Sequence, residues 1–133
     1  MELQGLVDAW NARDAGAIAA RFAPDGVRHH FAHPEAVLTG RAAITEGVGA
    51  ILGAVPDAAL EVRDASTGPD GGVTLEWTFT GTLQNELMGL PGNGAAVTLR
   101  GVSVCALTAD GLIAEERVYW DGVTLMVAAG VIG

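Results

Sequence analysis

The octapeptide Val73-Thr74-Leu75-Glu76-Trp77-Thr78-Phe79-Thr80 alternates apolar and polar side chains without a break. Side chains on a strand point to opposite faces in turn. This period of two therefore predicts a half-buried strand with Val73, Leu75, Trp77 and Phe79 on its core side. Upstream, Leu60 and Val62 alternate with charged residues before a turn cluster at 66–72. Downstream, 81–94 reads as a loop whose Leu87, Met88 and Leu90 predict that it folds over an apolar surface. A long strand over 95–107, the turn Ala109-Asp110-Gly111 and a return strand over 112–120 complete a hairpin. Asp121 then precedes an apolar tail at 123–127, long enough for a last helical turn or two.

Before residue 56 the period is different. Leu3, Leu6, Val7 and Trp10 fall at i, i+3, i+4 and i+7, one face of a helix. Asp14 is placed to cap a second short helix presenting Ile18 and Phe22, which stops at Pro24-Asp25-Gly26. A short strand is expected over 27–31, ending at His33-Pro34. A third helix over 39–52 carries Ile44, Val48, Ile51 and Leu52 on one face. Helices first and strands afterwards predict an α+β class with helices packed on one sheet face. No repeat or linker interrupts the 133 residues, which are expected to form one domain over 1–133.

Composition narrows the partners. Half the residues are apolar and 17% are charged, so the chain is not of the disordered class. The net charge of −9 argues against nucleic acid and against an anionic membrane surface, both of which need Lys and Arg. The single Cys105 cannot form an internal disulfide, and the cysteines cannot build a zinc site. The Met1-Glu2-Leu3-Gln4 start lacks the basic and apolar runs of a signal peptide, which makes the cytoplasm the expected compartment.

The order helix, helix, short strand, helix, long sheet resembles the cone-shaped fold of the nuclear transport factor 2-like superfamily. Gly81-Thr82 followed by Gly89-Leu90-Pro91-Gly92-Asn93-Gly94 is similar to a segment of SnoaL-like polyketide cyclases. The stretch Gly111-Leu112-Ile113 through Tyr119-Trp120-Asp121 to Leu125 resembles the closing strand of those cyclases and of ketosteroid isomerases. Phe22-Ala23-Pro24-Asp25 and Gly40-Arg41-Ala42-Ala43-Ile44 also suit the superfamily. The resemblance implies N-terminal helices on a curved antiparallel β-sheet. It further implies a deep apolar pocket walled by Trp77, Phe79, Leu99, Ser103, Val118 and Trp120, no cofactor, and homodimers formed through the sheet.

The resemblance also shows departures. The cyclases' acid–base Asp on the closing strand corresponds here to Val118, and the ring-cyclase His to Ser103. The isomerases' helix-one Tyr corresponds to Leu6. The isomerases' proton-shuttling Asp maps to His33 by its following Pro34, or to His30 by an ungapped count from Phe22. Imidazole suits a general base near neutral pH. The two histidines sit on opposite faces of an ideal strand. Placing Val27 and Phe31 in the core would turn His33 inward with His29.

Glu116 shares a strand face with Val118 and Trp120 and would be a carboxylate in an apolar pocket. Asp121 matches a family Asp, but its place before the apolar tail reads as a helix N-cap. Trp10, Phe31, Trp77, Phe79, Met88, Leu99, Val118 and Trp120 are the expected ligand-binding or core residues. No Asp, Glu or Cys joins the histidines at metal-ligand spacing, so no metal site is expected.

Two function classes follow. One is a cofactor-free isomerase or cyclase acting on a hydrophobic carbonyl compound, polyketide- or steroid-like. His33 or His30 would be its base, Ser103 would polarise the oxyanion, and Glu116 would be a reserve acid. The other is a ligand-binding or accessory protein that kept the pocket and lost the acid at Val118. An interaction module using the open sheet face is a third possibility.

Overall fold

The computed structural model describes residues 2–31 and 37–132. Glu2 opens the first helix by accepting the Gly5 N–H, and α1 (Leu3–Asn11) follows with Leu6 and Ala9 buried. Asp14 caps α2 (Ala15–Ala19) through the Ala17 N–H at 3.0 Å. Phe22 does not extend that helix face as the spacing suggested. It begins β1 (Phe22–His30), because Pro24 disfavours helical backbone at the residue before it. The short β2 (Val37–Thr39) pairs antiparallel with β1, and α3 (Arg41–Ala54) follows. Next come β3 (Ala59–Thr67), β4 (Val73–Leu83), β5 (Ala95–Leu107) and β6 (Ile113–Trp120), then α4 (Gly122–Ala128).

The six strands form one open sheet in the order β2-β1-β6-β5-β4-β3. The sheet is mixed, where an antiparallel one was expected: β1 lies parallel to β6. This pairing sets Arg28 opposite Glu116 and His30 opposite Val118. Registers shift between Phe22 and Val27, between Val62 and Asp64, and between Ala106 and Leu107. Such irregularities bend strands and increase twist. The helices cover one face, where Leu6, Ile18, Ile44 and Val48 meet Leu75, Phe79, Leu83 and Leu99 in the buried core.

The loop after β4 starts later than expected. Gly81, Thr82 and Leu83 belong to the strand and pair with Val97, Ala96 and Ala95. Asp57 holds this extension by accepting the Thr82 backbone N–H at 2.7 Å and its hydroxyl at 2.8 Å. The Asp57 carboxyl is held below its ordinary value by those bonds. Asn11 fixes α1 against β3 by the same kind of bond pair: its amide donates to the Leu60 carbonyl at 3.0 Å and accepts the Leu60 N–H at 2.7 Å. No described helix is long and apolar enough to cross a membrane.

Candidate active site

Alternation along β4, β5 and β6 points Leu75, Trp77, Phe79, Leu99, Ser103, Glu116, Val118 and Trp120 at the helices. With Arg28 and His30 from β1, Leu60 and Val62 from β3, and Leu6, Trp10 and Ile51 from the helices, they line a cavity. Leu87 and Met88 of the 84–94 loop complete it. The cavity offers about 70 Å³ to the centres of water-sized molecules, and about 700 Å³ when all non-atom space and the open solvent at its mouth are counted.

Four polar side chains are buried in this apolar wall: Arg28 (5% exposed), His30 (7%), Ser103 (4%) and Glu116 (9%). Burying such groups costs free energy unless each is hydrogen-bonded or paired. Arg28 Nε donates to Glu116 Oε1 at 2.9 Å, and its guanidinium carbon lies 5.8 Å from the Trp10 ring centre. Two indoles serve the other pair. Trp77 Nε1 donates to Ser103 Oγ at 3.0 Å, and Trp120 Nε1 donates to His30 Nε2 at 3.0 Å. The lone pair on His30 Nε2 makes the neutral imidazole the Nδ1–H tautomer. Ser103, whose oxygen accepts from Trp77, keeps its O–H for donation.

Trp77 reaches Ser103 because of Gly101, which lies between them on β5. A Cβ at Gly101 would stand 2.4 Å from Trp77 Cζ2 and 2.6 Å from the Tyr119 carbonyl oxygen. The indole therefore lies flat across the strand where only glycine leaves space. Met88 enters the cavity from a tight turn in which Leu87 and Leu90 exchange backbone hydrogen bonds of 3.0 and 2.9 Å. Both central residues have positive φ, 52° at Met88 and 80° at Gly89, the mark of a type I′ turn. The loop is anchored at both ends, by Asn85 to the Gly53 carbonyl and by Asn93 to the Ala128 carbonyl.

The model of the SnoaL-like polyketide cyclase family matches residues 2–128. The chain belongs to this family. Among solved structures, AclR of Streptomyces galilaeus, a candidate hydroxylase, is 27% identical with a TM-score of 0.82, over 98% of this chain and 94% of that one. IdmH of Streptomyces antibioticus, a candidate polyketide cyclase, is 25% identical with a TM-score of 0.77, over 96% and 95%. A SnoaL-like protein of Jannaschia sp. CCS1, 21% identical with a TM-score of 0.84 over 98% and 90%, shares the fold. No curated protein matches the chain.

Within this SnoaL-like cavity the expected residues divide. His30, Ser103, Glu116, Trp10, Trp77, Phe79, Met88, Leu99, Val118 and Trp120 all line it. His33 lies outside the described residues. Phe31 is a correction: it is 41% exposed on the opposite sheet face, stacked on Tyr119 at 4.8 Å and beside His29. Hydrophobicity favoured Val27 and Phe31 inside. The strand turns the other way, and Arg28 meets Glu116 on the inner face of β6. Glu116, expected as a reserve acid, is ion-paired with Arg28.

Asp121 caps α4, accepting the Val123 and Thr124 N–H groups and the Thr124 hydroxyl, which hold its carboxyl below the ordinary value. Burial, reinforced by the nearby Glu116 charge, pushes the Cys105 thiol up, so it stays an unreactive part of the core. Sequence reading missed Arg28 and Gly101 as site residues, along with the apolar wall residues Leu6, Ile51, Leu60, Val62, Leu75 and Leu87. Arg28 shares strand parity with His30, the only signal that could have found it.

Proposed function

We propose that the cavity binds a hydrophobic carbonyl compound and moves a proton at its α-carbon with side chains alone, giving isomerisation or ring closure. What carries this reading is the gathering of Arg28, His30, Ser103 and Glu116, all buried, at one otherwise apolar cavity. His30 Nε2 takes the α-proton once the Trp120 N–H gives way, an exchange that costs about 1 kcal/mol for one neutral hydrogen bond. The electron pair of the broken C–H bond moves to the carbonyl oxygen, to which the Ser103 hydroxyl donates. Return of the proton to a different carbon isomerises the substrate. Attack of the enolate carbon on a second carbonyl closes a ring.

Hydrogen–deuterium exchange at the α-carbon of 1-tetralone in D₂O, followed by NMR, tests the reading. Exchange above the buffer rate that His30→Ala abolishes supports it, and undiminished exchange in that variant removes His30 as the base. One observation favours a second reading. Val118, where the resemblance implied an acid, is apolar and 1% exposed, as in a binding protein without turnover. Tight binding of 1-tetralone without exchange would select it. A homodimer joined through the outer sheet face belongs to either reading and is supported by the exposed Phe31–Tyr119 stack. Light scattering in solution measures it.

A further inference from the structure

The Arg28–Glu116 pair is incomplete. A guanidinium and a carboxylate can meet through two parallel hydrogen bonds, yet here one forms, Nε to Oε1. Among the described residues, the two terminal amino groups of Arg28 and the second oxygen of Glu116 have no hydrogen-bond partner. None of them is sealed in the protein either, since the buried partnerless side-chain atom among the described residues is Thr78 Oγ1. Arg28 is nineteen-twentieths buried and lines the cavity, so the space left to its terminal N–H groups is the cavity. Trp10 covers the guanidinium on the α1 side.

We propose that Arg28 is a catalytic residue, whose terminal N–H groups bind the substrate's carbonyl oxygen and stabilise the negative charge it gains on enolisation. Glu116 is its positioning residue. This rests on the carbonyl reading above and names the group that carries most of the oxyanion's charge. A hydrogen bond from a charged donor is roughly twice as strong as a neutral one, so Arg28 outweighs the Ser103 hydroxyl. The pair as a whole is neutral and fixed before substrate enters, which is the preorganisation that favours a developing charge over a resting dipole. The pair also sits on two strands of the sheet, where its geometry is held by the backbone ladder.

The test uses 1-naphthol, a stable mimic of the 1-tetralone enol whose hydroxyl ionises as the enol's would. Its ionisation is followed by absorbance while bound to the whole chain. The comparison is the double variant Arg28→Met/Glu116→Leu, in which both charges are replaced together by apolar side chains. Wild type is expected to favour bound naphtholate over naphthol by about tenfold or more relative to the double variant. If both proteins bind naphthol with the same ionisation midpoint, the role of Arg28 is overturned while the carbonyl reading stands. If wild type binds neither 1-naphthol nor 1-tetralone, the carbonyl reading falls and this proposal with it.

A second variant covers the case in which the double variant fails to fold. Glu116→Gln keeps an oxygen for Arg28 Nε and removes the opposing charge, so it should bind naphtholate more tightly than wild type. Unchanged or weaker naphtholate binding in that variant counts against Arg28 as the anion's partner.

Discussion

Arg28 and Glu116, 88 residues apart in the chain, meet at 2.9 Å across the parallel strand pair β1 and β6. Their side chains are 6% and 12% exposed, so either charge is costly there without the other. Arg28→Met alone should destabilise the fold by about 3–5 kcal/mol, because it leaves a buried carboxylate unpaired. Replacing Glu116 by Leu in the same chain should restore most of that loss. Urea denaturation of the single and double variants measures both. A single variant as stable as wild type would mean that the pair contributes nothing to folding.

Gly101→Ala should cost roughly 1–3 kcal/mol, the range for overpacking a filled site. The added methyl would meet the Trp77 ring and the Tyr119 carbonyl oxygen. It should also change the Trp77 fluorescence by breaking the bond to Ser103. Combined with Trp77→Phe, the penalty should be smaller than the sum of the two single penalties, since the residues share one space. Additive effects would show that the contact is not the cause.

Met88 occupies a backbone region that costs a side-chain-bearing residue about 1 kcal/mol or more. Met88→Asn would place an Asn-Gly pair at the centre of the turn, the preferred sequence for positive φ at both positions. Thermal melting should show a gain on the order of 1 kcal/mol. Affinity for 1-tetralone should fall, because an apolar side chain leaves the cavity wall. A variant that gains stability and keeps its affinity would show that Met88 does not contact the ligand.

Acid should loosen two places where an exposed Asp ties an element end. Asp57 and Asp121 titrate below the ordinary 3.8 in the folded chain, held there by Thr82 and by Thr124 and Val123. Their contribution is therefore complete above 3.8 and is lost as pH falls through their lower folded values. Melting temperature should fall as pH drops below about 4. Asp57→Asn with Asp121→Asn should flatten that slope while lowering stability at neutral pH. An unchanged slope would assign the acid sensitivity to other carboxyl groups.

Much of the architecture was legible because it is written in local patterns. The alternation over 73–80 marks β4, the i, i+3, i+4, i+7 spacing marks α1, and Asp14 and Asp121 stand where helix caps stand. Strand alternation also places Trp77 and Phe79, or Val118 and Trp120, on one face before any partner is known. The 84–94 loop announced its contact with an apolar surface through Leu87 and Met88.

What the chain alone determined, then, were α1, the long strands β4 to β6 with their faces, and the apolar character of the cavity, because each follows from neighbours within a few residues. Which way β1 turns was decided only by tertiary structure. Hydrophobicity argued for Val27 and Phe31 inside; the parallel partner β6 brought a carboxylate to Arg28 and carried His30 inward beside it. The same holds for Gly101, whose missing side chain matters only because a tryptophan from the next strand lies across it. A buried charge is stable only beside its counter-charge, and a partner 88 residues away leaves no mark in the local sequence.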